Sequence, residues 1–88
     1  MHRTDMPHFF IDTYDGHFWA EDEEGAEFRD LEAARIVALS TLPEIALHRN
    51  VADGPREWTA SVRNEAGQVL LRATLKLSVG WAAAPANA

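Results

Sequence analysis

Asp22, Glu23, Glu24 and Glu27 are the first residues in this chain whose types and spacing could do chemistry, since clustered carboxylates suit a hard divalent cation. Their spacing does not match an EF-hand, which alternates its ligands, turns at a mid-loop glycine and closes on a distant bidentate glutamate. The same residues fit a solvated turn leading into a helix, where acids favour the dipole. That plainer reading is preferred. Convergence of Asp12, Asp15 and His17 would give a metal site or an acid–base pair. No helical i, i+4 histidine pair supports it, and spacing fixes no third ligand. His2 falls in the N-terminal extension, His8 flanks the first hairpin with His17, and His48 suits the end of a helix.

The other reactive chemistries are thinner still. Ser40, Ser61 and Ser78 do not sit in a Gly-x-Ser-x-Gly elbow, and the glycines are scattered turn residues rather than a phosphate loop. The absence of cysteine removes disulfides, thiolate metal sites and thiol nucleophiles together. The expectation is a non-enzyme with no catalytic residues, no metal and no cofactor. The basic set is Arg63, Arg72 and Lys76, which share the polar face of the last two strands with Thr59 and Thr74 between them. A β-ribbon reader of nucleic acid could be built that way. The net charge of −6 argues against it, because phosphate binding needs clustered cations.

The elements that must position these groups come from pattern. Eighty-eight residues, 47% hydrophobic and 25% charged, suffice for one small folded domain. No apolar run reaches the roughly 18–20 residues of a membrane span, and no secretory signal pattern opens the chain, so a cytoplasmic protein is expected. Charge is uneven: residues 1–44 hold 11 acids and 3 bases, residues 45–88 hold 3 acids and 5 bases. Phe9 to Tyr14 reads as a strand, and Asp15-Gly16 as a two-residue hairpin turn into His17 to Glu21. That turn sets Thr13 opposite Phe18 and Ile11 opposite Ala20. It leaves Phe10, Tyr14 and Trp19 as an aromatic second face.

Asp30 fits a helix N-cap, with Glu32 in the first turn. Leu31, Ala34, Val37 or Ala38, Leu42 and Ile45 recur at helical spacing. Pro43 interrupts the helix, and Thr41-Leu42-Pro43-Glu44 has capping-box spacing, so a helix from about 31 to 40, a kink and a further turn or two to about 48 are predicted. After a turn at Asp53-Gly54-Pro55, Trp58, Ala60 and Val62 alternate on one face. Val69, Leu71, Ala73, Leu75, Leu77, Val79 and Trp81 then alternate more strictly. A four-residue loop, Asn64-Glu65-Ala66-Gly67, keeps both apolar sets on one face and sets Val62 opposite Val69. The prediction is an α+β fold of order ββαββ: two antiparallel hairpins in a sheet, with one kinked helix on one face. Residues 6–81 form the domain, with 1–5 a disordered extension and 82–88 a disordered tail.

Several of these segments together resemble a family. Met6-Pro7-His8-Phe9-Phe10, Asp15-Gly16, Asp22-Glu23-Glu24-Gly25, Asp30-Leu31-Glu32-Ala33-Ala34-Arg35 and the final hairpin are similar to a group of short alphaproteobacterial proteins classed as a domain of unknown function. The resemblance runs from about residue 6 to 79. It implies no activity, cofactor or catalytic residue. Its usual start aligns with Met6, and His8 and Ile11 stand where relatives often carry Arg and Phe.

The expected function is that of a non-catalytic protein-interaction module that self-associates, with a further protein partner unspecified. The alternative is a sheet-based nucleic-acid regulator using Arg63, Arg72 and Lys76. Opposite charge in the two halves suits an antiparallel homodimer. The last strand overhangs its partner, because Leu77 would face Gly54 in a turn. The expected interface is therefore Leu77, Val79 and Trp81, joined by Tyr14 or Trp19. The expected core is Phe9, Ile11, Leu31, Ala34, Ala38, Leu42, Ile45, Val62, Leu71, Leu75 and Leu77.

Overall fold

The aromatic run near the start becomes the strand on which the sheet is organised. In the computed structural model, which describes residues 6–47, 56–78, 80 and 82, strand β1 spans His8–Tyr14. On one side it pairs antiparallel with β4 (Arg56–Arg63). On the other it takes two short strands: β2 (Trp19–Ala20) near its end and β3 (Ala26–Glu27) near its start. The second side of β4 pairs antiparallel with β5 (Val69–Leu77), giving the order β2-β1-β4-β5 with β3 beside β1. Helix α1 (Leu31–Leu47) connects the two halves and packs on β4, β5 and β1. The α+β prediction holds, with β3 added. The expectations for residues 1–5, His2, His48, Asn50 to Pro55, Val79, Trp81 and the tail from Ala83 concern positions outside the described residues. No described helix is long and apolar enough to cross a membrane.

The helix begins where predicted. Asp30 Oδ1 accepts the Ala33 N–H at 2.9 Å, filling one of the orphan donors of the first turn. Beyond that the prediction needs correction. Thr41 does not cap a second helix; its hydroxyl donates back to the Val37 carbonyl at 2.8 Å, and Ser40 donates to the same oxygen at 3.0 Å. The helix runs from Leu31 to Leu47 with Pro43 inside it. Burial of Leu42 on one side of the proline and Ile45 on the other holds that segment against the sheet, outweighing the lost donor.

Both hairpins depart from their expected registers by two residues, which preserves the faces. In the first, Tyr14 pairs with Trp19 and Thr13 with Ala20, so the loop is Asp15-Gly16-His17-Phe18. Only Gly16 has a positive φ (99°), whereas a type I′ turn needs two such residues. Asp15 is the cause: its Oδ1 accepts the N–H groups of His17 and Phe18, both at 2.9 Å, and wraps the chain into a longer loop. In the second, Val62 pairs with Leu71, Ala60 with Ala73 and Trp58 with Leu75. Asn64 N–H bonds to the Gln68 carbonyl at 2.9 Å, so the loop proper is only Glu65-Ala66-Gly67, with Gly67 at φ 89°. That odd loop would invert the faces. A bulge corrects it, since Arg63 pairs with Val69 and Val62 with Leu71, leaving Leu70 as the extra residue.

The core lies between α1 and the sheet face carrying Trp58, Ala60 and Val62. Phe9, Ala34, Ala38, Leu42 and Val62 are buried as expected, and Trp58 and Ala60 join them. Ile11, Ile45, Leu71 and Leu75 are half-buried, while Leu31 and Leu77 are exposed. The correction follows from strand order. β4 is central and covered from both sides, whereas β5 is an edge. Leu77 does not overhang, because it pairs with Arg56 at the end of β4.

Candidate functional site

The densest polar cluster sits on the sheet face away from the helix, where β1 meets the loop between β2 and β3. Asp12 interrupts an otherwise aromatic and apolar strand, and strand alternation places it on the face of Phe10 and Tyr14. Arg63, at the end of β4, is its diagonal neighbour. Arg63 Nε donates to Asp12 Oδ2 at 2.7 Å and Nη2 to Oδ1 at 3.3 Å, a bidentate pair. The guanidinium also lies 4.4 Å from the Phe10 ring centroid and donates to the Asp22 carbonyl at 2.9 Å. Exposed Glu21 approaches it at 3.4 Å. Hydrogen bonding to Asp12 raises the Arg63 pKa further above its already high ordinary value.

Asp22 is the second carboxylate of the cluster, and its work is to satisfy backbone donors. Oδ2 accepts the Ile11 N–H at 3.1 Å and Oδ1 the Gly25 N–H at 2.9 Å, while its own N–H donates to Asp12 Oδ1 at 2.9 Å. Burial pushes the Asp22 carboxyl up. The N–H donors of Gly25, Ile11 and Glu24, together with the Arg63 charge, outweigh burial and hold the group below its ordinary value. A lowered folded pKa contributes stability that is complete above the ordinary carboxylate value of about 4 and is lost as pH falls through the folded value. Asp22→Asn should therefore flatten the acid limb of stability when urea midpoints are compared from about pH 5 to about pH 2. Equal slopes in variant and wild type would show that another carboxylate carries the acid sensitivity.

The loop closes on a tight contact. Gly25 has φ 66°, and a Cβ there would lie 2.7 Å from His8 Nε2 and 2.8 Å from the Phe10 ring. His8 Nε2 donates to the Glu24 carbonyl at 2.8 Å, and its ring lies 5.1 Å from that of Phe10. Gly25→Ala should lose about 1–2 kcal/mol from the left-handed backbone alone and more from the clash, read as a fall in urea midpoint. An unchanged midpoint would mean that the loop does not pack on β1.

These contacts decide what the sequence-predicted residues can do. Asp12, Asp15 and His17 do not converge: Asp12 bonds to Arg63 and the Asp22 N–H, and Asp15 accepts backbone donors of its own loop. Among the described residues, no group of three His, Asp or Glu side chains is placed to hold a metal ion. Arg63, Arg72 and Lys76 share the uncovered face, but each has a local partner. Arg72 Nε lies 3.4 Å from Ser61 Oγ, and Lys76 lies 3.7 Å from Glu57. Tyr14 and Trp19 stack on the same face with centroids 4.8 Å apart, and Trp19 is 59% exposed. Leu77 stands on β5, at the far side of the sheet from that stack.

The Asp12–Arg63–Asp22 network escaped the sequence reading, although a carboxylate in the middle of a strand was a signal for it. The arrangement locks a loop onto the outer side of β1 and engages the carboxylates of Asp12 and Asp22. No curated protein and no solved structure matches the chain. A family model does match, over residues 8–76, which takes in β1, the acidic loop, α1 and all but the end of the final hairpin. The chain thus belongs to the family described as a domain of unknown function (DUF6894).

Proposed function

We propose that this chain is a small non-catalytic module that acts by binding protein, and that its first partner is a second copy of itself. The observation that carries the reading is apolar surface left over after the core is made. α1 buries Ala34, Ala38 and Leu42, yet Ile36, Leu39, Pro43 and Leu47 recur at helical spacing on its outward side. Ile36 is 55% and Leu47 83% exposed, so the helix is apolar on two faces, the pattern of an element covered twice. Asp12 and Asp22 are engaged by backbone and arginine donors, which supports a binding role over catalysis. Light scattering tests the reading: a dimer mass is expected at about 100 μM, a concentration well above the Kd of a stable interface. A monomer mass there would overturn it.

The nucleic-acid alternative has one observation in its favour, the Tyr14–Trp19 stack on the same open sheet face as Arg72 and Lys76, with β4 between them. Its weakness is Arg63, whose charge is met by Asp12. Retention on mixed-sequence DNA or RNA that falls steeply with salt would favour this alternative.

A further inference from the structure

The two edges of the sheet are finished differently. On the outer side of β1, His8 and Phe9 take β3, Thr13 and Tyr14 take β2, and the Ile11 N–H between them is capped by the Asp22 carboxylate. That edge is sealed along its length. On the outer side of β5, no strand pairs among the described residues. β5 holds no proline, its two charges, Arg72 and Lys76, stand on the open face of the sheet, and its bulge at Leu70 leaves Leu71–Leu77 regular. Native sheets usually blunt such an edge. The core also stops short there: Val62, Ala60 and Trp58 are fully buried, while their β5 partners Leu71, Ala73 and Leu75 are only half-buried.

We propose that β5 is the seam of a homodimer, in which two copies pair antiparallel about a twofold axis through Ala73 and one sheet runs through both. The proposal rests on the self-association reading but assigns the self-contact to the sheet edge, with a register, and leaves the outward apolar side of α1 to a further protein partner. A twofold axis normal to the sheet keeps each side chain on its own face, so a residue can oppose only one whose number differs by an even count. Charge and length then choose among the registers. An axis through Arg72 sets that arginine against itself. One through Thr74 sets Arg72 against the partner's Lys76, twice over, and like charges directly opposite are destabilising. An axis through Leu75 pairs only Ala73–Leu77, and one through Leu71 only Val69–Ala73, across the bulge. With Ala73 on the axis, Arg72 faces the partner's Thr74, Lys76 falls beside the partner's Leu70, and Leu71 meets the partner's Leu75. The half-buried apolar row of each copy is completed by the other.

The chain contains no cysteine, so single thiols report the register directly. Residues facing each other in an antiparallel pair have Cα atoms about 4.5–5.5 Å apart, within disulfide reach. A residue one step off the axis meets its own copy only on the diagonal, at about 7–8 Å, where a disulfide is disfavoured. Under mild oxidation, Ala73→Cys is expected to form a disulfide-linked dimer about tenfold faster than Thr74→Cys, reflecting that difference in reach. Equal rates, or a faster Thr74→Cys, would overturn the seam. A wild-type dimer in which neither variant cross-links would overturn the seam while leaving self-association standing. A wild-type monomer at about 100 μM removes both. Thr74→Arg, at an exposed position that does not threaten folding, adds a cation opposite the partner's Arg72. It is expected to raise the dimer Kd by about tenfold, the scale of an opposed like-charge pair, with Thr74→Ala as control. An unchanged Kd would also overturn the register.

Discussion

Trp58→Ala is expected to cost about 3–5 kcal/mol, the range for emptying a large aromatic site in a core. A domain of this size has a total stability of roughly 4–13 kcal/mol, so the variant should sit near the edge of folding at 25 °C. The reason is placement. Trp58 is fully buried near the start of β4, between Leu75 on one neighbouring strand and the helix above. Small residues at Ala34 and Ala38 let α1 approach closely enough to cover the indole, and neither can refill the space it would leave. The site carries a second expectation. The Trp58 Nε1–H has no hydrogen-bond partner among the described residues, and an unsatisfied buried donor costs about 1–3 kcal/mol. Trp58→Phe removes that donor and keeps most of the ring. It should therefore lie within about 1.5 kcal/mol of wild type, because losing the unsatisfied donor offsets part of the packing lost with the smaller ring. Urea denaturation separates the two substitutions. Equal losses would mean that the polar end of the indole is held by something the packing does not reveal.

Trp58 also shows what the sequence could and could not say. Alternation placed Trp58, Ala60 and Val62 on one face, and that face is the core. Alternation carries no information about strand order, so it could not say that β4 is central and β5 an edge. This is why Leu71 and Leu75, on the most regular strand in the chain, are only half-buried while Trp58 is sealed. Burial parity selected the correct faces for the last hairpin, but the mechanism differs: an odd loop plus an extra residue at Leu70 reaches the same parity as an even loop. The bulge leaves no mark in the hydrophobic pattern, because Val69, Leu70 and Leu71 are all apolar and hide the change of phase that sets Val69 beside Arg63 instead of Val62. The Asp15-Gly16 turn failed for a local reason, since a side-chain carboxylate that captures two N–H groups competes with the tight turn its own dipeptide favours. β3 was not legible either. Its two residues, Ala26 and Glu27, are too few to show a period, and the acidic residues around them read as solvated loop.

The site was the least legible part, and Asp12 is where it can be tested hardest. Asp12→Ala should cost about 3 kcal/mol, near the lower end for breaking a buried ion pair because both side chains retain some solvent contact. Three contacts fail together: the bidentate acceptor of Arg63, the acceptor of the Asp22 N–H, and the charge that holds the guanidinium over Phe10. Asp12→Asn keeps an acceptor for Asp22 but not the charge, and should fall between wild type and alanine. Joining Asp12→Ala to Arg63→Met should restore part of the loss, because the penalty is mainly an uncompensated cation and methionine can cover Phe10 without one. A double variant no more stable than Asp12→Ala alone would show that the pair is not coupled. Hydrogen exchange gives the loss a location. The Ile11 N–H is held by Asp22, and Asp22 is held by Asp12, so its protection should fall before that of the β1–β4 ladder. With the loop detached, the outer side of β1 becomes a second open edge. Light scattering of Asp12→Ala should then show masses above that of the wild type that grow with concentration, as expected when a further sheet edge is opened.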